Sequence, residues 1–158
     1  MNAGNAAYPN AESEIANILV AVDFSKFTAA ALDYATFLAE AFGATLTLVT
    51  VMEPRIYPED VIMGLSVDEI DRLWIESEEK NLHALCQTIK WGIPSTTVVE
   101  KGTPWSQIIA SAKSWNADLV VLGTHGRTGL KHAVMGSTAE RVVRHATCPV
   151  LVVPSQAK

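Results

Sequence analysis

Short apolar runs alternate along the chain with stretches whose apolar residues recur at helical spacing. Residues 17–24, NILVAVDF, form a β-branched run ended by a carboxylate and by Ser25, which reads as a first strand followed by a helix cap. Beyond it Phe27, Ala31, Tyr34, Leu38 and Phe42 recur on one helical face, and Gly43 stops the helix. Residues 44–52 are almost continuously apolar and β-branched, as in a strand of a sheet covered on both faces. Residues 53–66 contain two prolines and a glycine and read as a loop. From Val67 to about Trp91 the spacing of Val67, Ile70, Trp74, Leu82, Leu85 and Ile89 predicts a long amphipathic helix.

The rhythm continues to the end. Residues 95–102 predict a third strand, and Pro104 opens a third helix with Trp105, Ile108, Ile109 and Ala112 on one face. Residues 117–123 predict a fourth strand, 137–146 a fourth helix carrying Ala139, Val142, Val143 and Ala146, and 148–154 a last strand closed by Pro154. Strand–helix alternation without repeat or linker predicts an α/β fold: an open five-stranded parallel sheet, doubly wound, with helices on both faces. Such sheets bind ligands beyond the carboxyl ends of their strands, where the strand order reverses. Two strand ends are equipped for this, Asp23 after the first and a glycine-rich loop after the fourth. One domain over 17–155 is expected, between a disordered tail at 1–16 and a short tail at 156–158.

Composition narrows the function classes. A length of 158 residues, about half of them hydrophobic, suits one domain with a sizeable core. The formal charge is −5 and the twelve Lys and Arg residues are scattered, so neither nucleic acid nor an anionic membrane is expected as a partner. Cys86 and Cys148 are too few for a disulfide framework and read as reduced thiols of a cytoplasmic protein. The first residues lack the charged start and apolar centre of a signal peptide, and no apolar run approaches the roughly 20 residues of a membrane span.

The loop over 120–142, VVLGTHGRTGLKHAVMGSTAERV, carries Gly123, Gly126, Gly129 and Gly136. It is not a Walker A loop, because no Gly-Lys-Ser/Thr is present, and it is not the dinucleotide fingerprint, which follows a first strand with other spacing. The physical case for an anion site is independent of both motifs. Glycine lets a ligand approach the backbone, successive loop amides form an anion-binding concavity, and the next helix presents free N–H groups. Ser137 and Thr138 add hydroxyls, and Arg127 adds charge. Against this, Ser137-Thr138-Ala139-Glu140 reads as a capping box, which would explain Ser137 and Glu140 structurally. Spacing alone leaves both readings standing.

Gly123-x2-Gly126-x9-Gly136-Ser137 resembles the nucleotide-binding pattern of the universal stress protein family. ILVAVDFS, LVTV, GTPWSQII and CPVLVVP extend the similarity over nearly the whole chain after the tail. The resemblance implies a Rossmann-like, adenine-nucleotide α-hydrolase-like domain of the ATP-binding type. It implies that Ala21, Val22 and Asp23 hold adenine and ribose, that Val51 faces the adenine, and that Leu122 and Gly123 line the ribose region. Gly126, Arg127, Gly136, Ser137 and Thr138 would then surround the phosphates of ATP, or of AMP or ADP, with Mg2+ bridging phosphate oxygens. It further implies a stress-response homodimer joined through the last strand, with Val150, Leu151, Val152 and Val153 at the interface, and a protein client that the sequence does not identify. Val22 stands where many relatives carry Thr or Pro.

The remaining polar candidates have plainer readings. His125, His132 and His145 lack a metal-binding motif, and His83 reads as a surface residue. The ESEEK run at 76–80 reads as a solvated helix face, Lys131 as a surface lysine or a γ-phosphate contact, and Cys148 as a small buried residue. Trp74, Trp91, Trp105 and Trp115 are assigned to core packing rather than base stacking. No residue stands out to orient a water, so a regulatory binding protein with little or slow hydrolysis is expected, not an efficient enzyme. An adenylate-handling enzyme on the same fold would want a Ser/Gly-rich loop after the first strand, which DFSKFT lacks. A ligand-free dimeric interaction module is the other alternative, and the intact glycine pattern argues against it.

Overall fold

The computed structural model describes residues 15–55, 64, 66–124 and 135–154. Both predicted tails, save residues 15 and 16, lie outside the described residues, as do Gly126, Arg127, Gly129, His125, Lys131 and His132. Five strands and four helices alternate: β1 (Asn17–Ala21), α1 (Lys26–Phe42), β2 (Thr45–Met52), α2 (Val67–Cys86), β3 (Ser95–Lys101), α3 (Pro104–Ser114), β4 (Leu119–Gly123), α4 (Ser137–His145) and β5 (Val150–Val153). The strands form one parallel sheet in the order β3-β2-β1-β4-β5. This is the doubly wound arrangement expected from the alternation of elements.

Each face of the sheet buries its own apolar layer. Ile18, Val20, Leu46, Leu48 and Val121 point to one side, where Ala31, Leu32, Ala35 and Ala39 of α1 and Leu82 of α2 cover them. Leu19, Val49, Val120 and Leu122 point to the other, under Ile108 and Ala112 of α3 and Ala139 and Val142 of α4. Alternate residues of one strand thus serve opposite layers, as the period of two in a strand requires. Among the described residues no helix is long and apolar enough to cross a membrane.

Several sequence expectations need correction. The strand expected over 17–24 ends at Ala21. Val22 still donates its N–H to Val49 at 2.8 Å, and then Phe24 turns the chain in the left-handed region at φ 58°. Of the expected α1 face Phe27 and Ala31 are buried, but Tyr34 is 50% and Phe42 54% exposed. The row that meets the sheet is rich in alanine, which lets the helix lie close on it. Helix α2 ends at Cys86 instead of near Trp91, and Gly92, at φ 98°, reverses the chain towards β3. Trp91 is 99% exposed and Trp115 is also exposed, so neither is a core residue. The caps were legible: Ser25 accepts from the Phe27 N–H, and Gly43 closes α1 at φ 68°.

Candidate functional site

The strand order reverses between β1 and β4. Connections leaving the two strands go to opposite faces, so their carboxyl ends border a crevice. A cleft of about 580 Å³ opens there. That size is within the range of small-molecule sites, roughly 300–1,000 Å³. Ala21, Val22, Asp23, Val51, Leu122, Gly123, Gly136, Ser137 and Thr138 all line it. Of the predicted site residues, only Gly126 and Arg127 are left to the segment outside the described residues.

The β1 end is held rigidly. Oδ1 of Asp23 accepts from the Ser25 N–H at 3.0 Å and from the buried Thr28 hydroxyl at 2.9 Å. A bulky residue at positive φ is strained, and such strain collects at functional sites. Phe24 adopts it directly after Asp23, and the hydrogen bonds from Ser25 and Thr28 fix the carboxylate in place.

On the opposite side, the ends of the glycine loop are drawn together. The Thr124 N–H donates to the Val153 carbonyl at 2.9 Å, and the Gly136 N–H donates to the Thr124 carbonyl at 2.6 Å. The expected capping box does not form. The N-cap is Gly136, with extended backbone and no side-chain cap, so Ser137 is already the first helical residue. Glu140 turns instead to Arg144, at 2.8 Å. The structural explanation for Ser137 falls away. The first turn of α4 lines the cleft, and among the described residues no side chain caps its amides, as an anion site needs.

The walls contain residues that the sequence reading missed. Trp74 and Trp105 line the cleft and are not plain core residues. The Trp74 indole N–H donates to Glu78 at 3.1 Å, and the Arg55 guanidinium lies 3.7 Å above its ring. Trp105 lies against His145 with ring centroids 5.2 Å apart, and the Arg141 guanidinium is 5.7 Å above its ring. The His145 Nδ1 contacts the Arg141 carbonyl at 2.8 Å, a structural position. Periodicity places both tryptophans on the inner faces of their helices but does not tell a cleft wall from a core. Among the described residues no three His, Cys, Asp or Glu side chains converge as a metal site. Burial, and then the Asp118 carboxylate, push the Cys148 thiol up, which disfavours the reactive thiolate.

The lining therefore suits a ligand with an apolar part and an anionic part. Val22, Val49, Val51 and Leu122 supply apolar surface, and the start of α4 with Ser137, Thr138 and Arg141 supplies donors.

A model of the universal stress protein family matches residues 14–154. The chain is 32% identical over 155 residues to universal stress protein MJ0531 of Methanocaldococcus jannaschii, covering 98% of this chain and 91% of that one. Among solved structures it is similar to the universal stress protein UspA from Lactobacillus plantarum, with a TM-score of 0.70, 28% identity and coverage of 89% and 98%. The universal stress protein from Archaeoglobus fulgidus in complex with dAMP shares the fold, with a TM-score of 0.61, 20% identity and coverage of 88% and 98%.

The missing cap has a measurable consequence. Ser66 caps α2 through a full capping box with Glu69, whereas Ser137 caps nothing. Ser66→Ala is expected to lower the unfolding free energy in urea by about 1 kcal/mol, and Ser137→Ala by less than about 0.5 kcal/mol. Equal losses would restore the capping role of Ser137.

Proposed function

The chain belongs to the universal stress protein family, and from that premise we propose that it is an adenine-nucleotide-binding regulatory protein of the stress response. Its ligand is ATP, or AMP or ADP, held in the cleft between the ends of β1 and β4. The observation that carries this reading is the uncapped start of α4, which faces a cleft whose other end is apolar. The dAMP complex of the Archaeoglobus fulgidus protein supports the nucleotide class. Adenine and ribose rest against Ala21, Val22, Asp23, Val51, Leu122 and Gly123, and the phosphates against Gly136, Ser137 and Thr138, together with Gly126 and Arg127. Mg2+ bound to the phosphates would neutralise part of their charge.

The protein works as a binder and at most a slow hydrolase. Hydrolysis needs a group that orients an attacking water. Among the described cleft residues the carboxylates are Asp23 and Glu53, and Asp23 is engaged with Ser25 and Thr28.

Assembly follows from the sheet edge. Strand β5 is an outer strand, and no charged residue occurs from Cys148 to Pro154. Uncovered apolar edges invite pairing, and closed two-fold dimers are the commonest solution. The proposed cytoplasmic homodimer pairs β5 with its copy through Val150, Leu151, Val152 and Val153. Val153 is only 3% exposed within one subunit, so it lends backbone groups and not side-chain area.

Isothermal titration with ATP, AMP and cyclic AMP, with and without magnesium, tests the ligand. The backbone of Gly136 is extended, so Gly136→Val is compatible with the local fold, while its added side chain is expected to hinder phosphate approach to the start of α4. It is expected to weaken ATP at least about tenfold, or ~1.4 kcal/mol. Unchanged affinity in a folded variant would remove the phosphate assignment. For assembly, sedimentation at tens of micromolar is expected to show a dimer, shifted towards monomer or aggregate by Val152→Lys. A wild-type monomer would refute the dimer and leave the nucleotide site untouched.

A further inference from the structure

We propose that Arg141 determines a preference for nucleoside polyphosphates over monophosphates, with Trp105 holding its guanidinium ready; this rests on the nucleotide reading above. Arg141 is the fifth residue of α4 and lines the cleft together with Gly136, Ser137 and Thr138. Helical side chains lean towards the amino terminus and cover the preceding turn. Arg141 leans that way along the cleft wall, with its guanidinium over the Trp105 ring. It adds its charge to the side of the cleft where the positive end of the α4 dipole lies, an arrangement that favours an anion.

The surroundings leave that charge uncompensated. One turn away Arg144 is paired with Glu140 at 2.8 Å, whereas among the described residues Arg141 pairs with no carboxylate. Its guanidinium rests 5.7 Å above the Trp105 ring. Such a contact positions a cation without neutralising it. Trp105 is the second residue of α3, and that helix also starts without a side-chain cap hydrogen bond. The Trp105 indole nitrogen is buried with no hydrogen-bond partner among the described residues. The two helices on the other face differ: α1 is capped by Ser25 and α2 by Ser66. Uncompensated positive potential is thus concentrated on the α3–α4 wall of the cleft.

A nucleoside with one phosphate satisfies the first-turn amides alone. A longer phosphate chain also offers oxygens to the guanidinium, whose planar fork suits bidentate phosphate binding. Arg141 then contributes to ATP and little to AMP or adenosine.

Calorimetric titration of ATP, AMP and adenosine into the wild type and Arg141→Gln separates the possibilities. Wild type is expected to bind ATP at least about tenfold more tightly than AMP. In Arg141→Gln the ATP affinity should fall to near that of AMP, with AMP and adenosine changed less than about twofold and a weaker salt dependence for ATP. Arg141 is exposed and glutamine is a good helix former, so the fold should persist, as the melting temperature will show. Should Gln lower it, Arg141→Met keeps length and helix propensity and carries the same expectation. ATP affinity unchanged in the folded variant would overturn the proposal while leaving nucleotide binding intact. Equal weakening of all three ligands would also overturn it, by showing a structural role. A wild type that binds no nucleotide would remove the underlying reading itself, and this proposal with it.

Discussion

The reversal of strand order between β1 and β4 is the constraint on which the rest depends. Right-handed crossovers oblige the connections on either side of a reversal to leave by opposite faces. α1 and α2 therefore cover one face and α3 and α4 the other, and a cleft opens at the two strand ends. The cleft is a consequence of winding. What the sequence adds is its chemistry: a carboxylate at the end of β1, valines at the end of β2, and a helix that begins on a glycine after β4.

The distribution of helix caps gives that space its polarity. Side-chain oxygens satisfy the first amides of α1 and α2, whereas α3 and α4 start without such partners. Each open helix start is a partial positive charge. Two of them beside Arg141 favour an anion on that wall, while the apolar side chains of Val22, Val49 and Val51 favour the uncharged end of a ligand on the other. Among the described residues α4 has no side-chain cap and Arg141 no carboxylate partner, though both would serve stability better. Their absence is the kind of local inconsistency that accompanies a binding site.

Much of this was legible in the sequence, and the misses have identifiable causes. The fold class followed from alternating periods alone, because buried parallel strands and two-faced helices leave unmistakable patterns. Nine predicted site residues came together because they lie at strand ends or helix starts, which topology fixes. Boundaries were less secure. Nothing in the apolar run over 17–24 announces that Phe24 adopts φ 58°, and Ile89 kept the helical period going past Cys86. From the sequence Ser137 stands between cap and anion contact because the capping-box spacing is present, while the chain enters the helix one residue earlier, at Gly136. Arg55, Trp74, Trp105 and Arg141 were missed for a common reason. Each sits where the approach to the cleft depends on tertiary packing, and the local pattern alone cannot distinguish a wall from a core.

The most direct measurement is a two-dimensional amide NMR titration with magnesium and ATP. The phosphates are held to meet the open start of α4, and the base and ribose the end of β1. The largest shifts should then fall on the amides of Gly136 to Ala139 and of Val22 and Asp23. Shifts confined to residues outside the cleft, or none at saturating ATP, would contradict the assignment of this crevice as the nucleotide site.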